Sequence, residues 1–176
     1  WEYIYPKIQF NIDNIKFRDI EGKLSLQNDF SYQRKLDKSY ASLASSQVNW
    51  SDRNISKGSG LLFDNEATLR IVSISNDFKD KRDNENVRFF PQISTKISFP
   101  MFRSSNNSNE TLTPVLMPII APYNNYTDHK SITNSNLFST NRASSITESE
   151  SGPRVNYGIE WFNANKDNFD IKVVAG

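Results

Sequence analysis

The stretch Gly22-Lys23-Leu24-Ser25-Leu26-Gln27-Asn28-Asp29-Phe30-Ser31-Tyr32-Gln33-Arg34-Lys35-Leu36 decides the fold class. Its even positions carry Leu24, Leu26, Phe30, Tyr32 and Leu36, while Lys23, Ser25, Gln27, Asp29, Ser31, Gln33 and Lys35 hold the odd ones. Side chains alternate between two faces in a β-strand and wind with period 3.6 in a helix, so this pattern is a strand with one apolar and one polar face.

The same alternation returns along the chain. Val87, Phe89, Pro91, Ile93, Ile97 and Phe99 stand against Arg88, Gln92, Ser94, Lys96 and Ser98, and Val155, Tyr157, Ile159 and Trp161 against Arg154, Asn156 and Glu160. Phe169, Ile171 and Val173 against Asp170 and Lys172 make a fourth case. Weaker alternation runs through 2–18, 39–53, 60–78 and 110–122; the third of these changes parity between Ile71 and Val72, as a β-bulge would cause. The chain is therefore expected to be all-β, with about eight strands and a long Ser-, Thr- and Asn-rich connection at about 123–151, in a single domain spanning 1–176.

Composition agrees with one-sided sheets. Only 36% of the 176 residues are hydrophobic although 12% are aromatic, and 21 Lys and Arg nearly balance 20 Asp and Glu. This is neither a disordered profile nor that of a nucleic-acid binder. No cysteine is present, which excludes disulfides, thiolate nucleophiles and sulfur-ligated metals. The longest apolar run, Val115 to Tyr123, falls well short of the roughly 20 residues of a membrane helix and is marked by Pro114, Pro118 and Pro122. A chain opening on Trp1 without a leader is expected to be a partial sequence.

Two architectures use long strands with one apolar face: a soluble sandwich whose apolar faces meet, and a barrel whose apolar faces meet lipid. Period alone does not choose between them. Charges deep within strands at Asp29, Lys35 and Lys96 suit a water-filled lumen, and equally the wet face of a sandwich. No catalytic, metal or cofactor site is expected: His129, the only histidine, lies in a polar loop, and Glu148 with Glu150, or Asp80 with Asp83, read as solvated charges. Trp1, Tyr3, Tyr5, Trp50 and Trp161 lie near strand ends, as interfacial aromatics do.

From Arg88 onward the text resembles the LptD family of outer-membrane lipopolysaccharide-assembly proteins. Arg88-Phe89-Phe90-Pro91-Gln92-Ile93, Phe99-Pro100, Leu112-Thr113-Pro114 and Ala121-Pro122-Tyr123 are similar to that family's proline-marked barrel strands. Asn136-Leu137-Phe138-Ser139-Thr140-Asn141-Arg142 followed by Gly152-Pro153-Arg154-Val155-Asn156-Tyr157-Gly158 is the more specific pairing. After Arg142 the family usually has an aromatic, a Gly and an Asp-Arg pair, where this chain has Ala143, Ser145, Thr147 and Glu148.

The resemblance implies an antiparallel transmembrane β-barrel segment, about eight strands of a larger barrel, in the outer membrane of a Gram-negative bacterium. It implies transport of lipopolysaccharide into the outer leaflet with no bond made or broken, an LptE-type lipoprotein plug, an LptA-type periplasmic bridge, contact with outer-membrane lipid, and no nucleic acid or cofactor. The family's exit for lipid, between its first and last strands, would lie outside this chain. The loop residues Asn136, Leu137, Phe138, Asn141 and Arg142 would pack toward the lumen, and Lys23, Gln27, Gln33 and Lys35 would form part of its wall. Another outer-membrane barrel, of porin or small-anchor type, and a secreted glycan-binding β-sandwich remain the alternatives.

Overall fold

The computed structural model describes residues 3–17, 20–34, 40–76, 85–105, 108–125, 132–133, 135–143, 145–165 and 169–176. Strands dominate: β1 (Tyr3–Phe17), β2 (Ile20–Arg34), β3 (Tyr40–Ile55), β4 (Leu62–Asn76), β5 (Glu85–Ser98), β6 (Met101–Ser104), β7 (Ser108–Ile120), β8 (Arg154–Asn165) and β9 (Phe169–Ala175). They make one antiparallel sheet, with no helix among the described residues. Neighbours follow in the order β1-β2-β3-β4-β5-β7-β8-β9, with β6 on β7, and the sheet is not closed into a barrel: β1 and β9 are its two edges.

The short β6 is a ninth strand that alternation alone does not separate. It continues the register of β5 against β7, since Ser98 faces Val115 and Met101 faces Leu112. Proline explains the break. Pro114 and Pro118 have no N–H to give the ladder, and the β5–β7 pairing lapses opposite both. Across the first gap, the Phe99 amide donates to the Pro114 carbonyl at 3.2 Å.

The parity change at Ile71 and Val72 is not a bulge. Pairing of β4 runs without a shift from Leu62↔Ser98 to Ser75↔Glu85 on one side and from Leu62↔Ile55 to Asn76↔Ala41 on the other. Val72 and Ile74 are apolar residues on the face that Arg70 shares, and Val72 is fully buried. The register shifts fall in β1 instead, between Tyr5/Lys7, Ile12/Ile15 and Ile15/Phe17, near Asn14 with its positive φ of 60°.

Directly opposed residues of an antiparallel pair share a face, so the register carries each face across the sheet. One face runs through Ile8, Phe30, Val48, Leu69, Phe89, Ile93, Leu116, Tyr157 and Val173. The other carries Gln27, Gln47, Arg70, Gln92, Ser94, Arg154 and Asn156.

Burial is distributed against the usual sense. Phe89 is 60% exposed, Ile93 58% and Ile120 67%, whereas Gln92 is 5% and Ser94 2% exposed. The described residues 135–143 and 145–150 of the connection lie over the polar face of β4, β5, β7 and β8. There they bury Val72, Phe90, Val115, Met117 and Ile119 together with the polar side chains.

Two connection classes separate by end. The β3–β4 turn at 56–61 is short, and the Ser56 amide donates to the Leu61 carbonyl at 2.9 Å. At the opposite end lies the 121–153 connection, whose roots are pinned where the Gly152 amide donates to the Pro122 carbonyl at 3.2 Å.

Candidate functional site

The loop is held to the sheet by a row of arginines reaching up from strand positions of polar parity. Arg70 on β4 donates through Nη2 to the Glu148 carbonyl at 2.5 Å, and Arg88 on β5 through Nη1 to the Thr147 carbonyl at 2.8 Å. Arg154, at the start of β8, donates to the Thr140 carbonyl. Guanidinium suits this task because its donors fan out in a fixed plane and stay charged. Gln92 adds bonds to Ser149 Oγ at 3.0 Å and to the Glu150 carbonyl at 3.3 Å. The loop backbone, which has no ladder partner of its own, is thus satisfied by side chains of the wall.

Glu150 is the centre of this arrangement. Its Oε1 accepts from Arg142 Nε at 2.8 Å and its Oε2 from the Arg142 amide at 3.0 Å, while Arg154 Nη2 lies 3.1 Å from Oε2. All three side chains are largely shielded from solvent, so the triad gains more from its charges than a surface pair does and leaves a larger deficit if broken. Asn141 completes the turn, its Oδ1 accepting from the Glu150 amide at 3.1 Å and the Ala143 amide at 3.3 Å.

A second anchor lies lower on the sheet. Ser94 Oγ and Thr140 Oγ1 are 2.9 Å apart, and Thr140 donates onward to Glu66 Oε2 at 2.6 Å. Lys96 pairs with Glu160 at 3.1 Å and stands 5.0 Å above the Phe138 ring.

The loop residues singled out from sequence therefore come together only in part. Asn141 and Arg142 share the Glu150 node, Leu137 is buried, and Phe138 lies under Lys96. Asn136 stands apart, accepting from the Thr133 amide at 2.8 Å in a turn. Of the wall candidates, Lys23, Gln27 and Gln33 share the polar face opposite Ser51, Gln47 and Ala41. Gln27 donates to Asp29 at 3.0 Å. Lys35, His129, Asp80, Asp83 and Trp1 lie outside the described residues.

Sequence reasoning missed the arginine row, Glu66 and the role of Glu150. Arg88 and Arg154 already stood on the polar side of the alternation; what period does not report is a loop above them.

Among the described residues three cavities line the polar face, the smallest, of about 230 Å³, between Gln27, Asp29 and Arg70 on the sheet and Ala143 and Ser145 on the loop. One of about 810 Å³ is bordered by Lys16, Lys23, Arg53, Asp64 and Lys96, with Arg53 paired to Asp64. Another, of about 470 Å³, lies between loop and sheet beside Arg70, Gln47 and Asn141. Among the described residues no group of three or more His, Cys, Asp or Glu is placed to hold a metal ion, and no helix is long and apolar enough to cross a membrane. The arrangement offers hydrogen bonding and charge to a polar molecule along a wall. Comparison with protein-family models gives no match, and comparison with curated proteins gives none either.

Proposed function

We propose that this chain forms wall and lumen loop of a transmembrane β-barrel in the outer membrane of a Gram-negative bacterium, working as LptD-type proteins do in moving lipopolysaccharide to the outer leaflet. The observation that carries this reading is the inverted polarity of the sheet. A sandwich hides its apolar face against a second sheet; here that face is the open one, and the polar face is covered where the loop lies over it. Lipid is the solvent in which such a surface is stable.

Aromatic placement supports the same reading. Tyr32 and Tyr40 stack at 6.1 Å near one end of the apolar face, and Trp50 and Trp161 lie toward the other. Tyr40 to Trp50 measures about 33 Å along β3 at roughly 3.3 Å per residue, or about 23 Å in height at a tilt of about 45°. An aromatic-bounded apolar band about 25 Å tall is what a barrel presents to the bilayer.

Transport needs a polar passage, and the resemblance around Asn136–Arg142 and Gly152–Gly158 supplies the cargo. Beyond the loop, Lys23 and Gln27 remain exposed on the polar face of β2 for saccharide or an LptE-type plug. Further strands joined to β1 and β9 would complete the wall.

Because the chain has no cysteine, single cysteines at 26 and 27 read the faces cleanly. In reconstituted vesicles a fluorophore at 26 is expected to be quenched by lipid-borne nitroxide and one at 27 by aqueous iodide. Equal aqueous quenching at both positions refutes the barrel. For transport, Arg142→Ala in the complete protein is expected to lower surface lipopolysaccharide and admit hydrophobic antibiotics, and unchanged permeability at normal protein levels refutes a role for the loop.

A further inference from the structure

We propose that Arg70 is the anchor of an oxyanion-binding subsite between loop and wall, taking a sugar unit that carries a carboxylate or phosphate. Arg142 and Arg154 share Glu150, whereas Arg70 forms no ion pair among the described residues. Among the described residues its hydrogen bond goes to a neutral carbonyl, that of Glu148, and its Nε–H is buried without a partner, as are Nε and Nη1 of Arg154. A shielded cation without a counter-ion is costly unless an anion completes it.

The surroundings fit a saccharide. The cavity of about 470 Å³ bordered by Arg70 falls within the range of small-molecule sites and is lined by the amides of Gln47, Gln92 and Asn141 and the hydroxyls of Thr68 and Ser139. The guanidinium rests 5.0 Å over the Phe90 ring; with one Nη2–H on the Glu148 carbonyl and Nε–H buried, the Nη1 donors and the second Nη2–H are those left for an oxyanion. Glu66 is the one carboxylate on the cavity lining, and its Oε2 already accepts from the Thr140 hydroxyl at 2.6 Å. Amides and hydroxyls would take ring hydroxyls, and Arg70 the charge.

The subsite deepens the transport reading, on which it rests only for the source of the saccharide. Binding itself depends on loop and sheet alone, so the cysteine experiment at 26 and 27 fails or succeeds separately from it.

The test uses the purified protein in detergent and three probes: glucose 6-phosphate, glucose and inorganic phosphate, followed by calorimetry. Glucose 6-phosphate is expected to bind at least ten-fold more tightly than either of the other two. Arg70→Gln is expected to remove that preference and Arg70→Lys to retain part of it. Gln47→Leu, which leaves Arg70 and the loop contacts in place, is expected to weaken the sugar phosphate several-fold without changing inorganic phosphate. Binding of inorganic phosphate as tightly as glucose 6-phosphate means an adventitious ion only and overturns the proposal. Equal affinity for glucose and glucose 6-phosphate, or a preference that survives Arg70→Gln, overturns it as well.

Discussion

Ile93→Arg separates a lipid-facing surface from a water-facing one by the size of its cost. Ile93 lies on the apolar face of β5, flanked by Ala67 and Ile120, and is 58% exposed. The apolar positions of β5 run from Val87 to Ile97, about 33 Å along the strand and about 23 Å in height at a tilt of about 45°. Ile93 then sits about 14 Å below the upper limit, within about 3 Å of the middle of the band. An arginine there costs about 2 to 4 kcal/mol in a bilayer. On a water-facing surface the same exchange lies within about 0.5 kcal/mol of neutral.

Gln27→Arg is the control, since Gln27 is exposed on the polar face beside Asp29. Reversible urea unfolding in phospholipid vesicles, followed by tryptophan emission, reads both variants, with Ile93→Ala subtracting the lost packing. A loss of about 2 kcal/mol or more for Ile93→Arg beside little change for Gln27→Arg is expected. A loss under about 0.5 kcal/mol at both positions refutes the assignment of the apolar face to lipid.

Glu150→Ala leaves Arg142 and Arg154 without their shared carboxylate; at about 3 kcal/mol for a broken shielded pair, the undocked loop population rises roughly a hundred-fold. Limited proteolysis within 121–153 measures this, and an unchanged cleavage rate refutes the clamp. Gly22→Ala puts a methyl group 2.6 Å from the Ser51 carbonyl oxygen at a residue with φ of 101°, at an expected cost of about 1 to 3 kcal/mol. Because Trp50 Nε1 donates to the Glu21 carbonyl at 2.9 Å beside it, Trp50 emission is expected to shift in the folded state. Stability and emission both equal to those of the parent chain refute it.

The strands and the identity of their faces were legible in the sequence because period two reports directly which side chains share a face. In β2 the alternation of Leu24, Leu26 and Phe30 with Lys23, Gln27 and Asp29 matches the register residue by residue. Legibility fails where the loop lies. Val72, Phe90, Val115, Met117 and Ile119 are apolar on the polar-parity face because the loop turns that part of the face into an interior. Alternation blurs there, and the blur at Ile71 and Val72 imitates a bulge. The clamp was unreadable for a different reason: Arg70 meets Glu148 across 78 residues and Arg88 meets Thr147 across 59, and no local pattern encodes such a pairing. The Glu150 node, eight residues from Arg142, was nearer to sight, yet solvated loop carboxylates look the same in sequence.

These long separations also set an order of assembly. Each strand pair of the meander closes over a short connection, apart from β7 with β8, so the sheet grows by inexpensive local steps. The arginine row forms only when β4, β5, β7 and β8 already stand in register. A slip of one residue would turn Arg70, Arg88 and Arg154 to the opposite face and leave the loop nothing to hold. Docking of the loop therefore requires β4 to β8 in register: a sheet that has slipped there is expected to leave the segment within 121–153 open to proteases, while a correct one protects it.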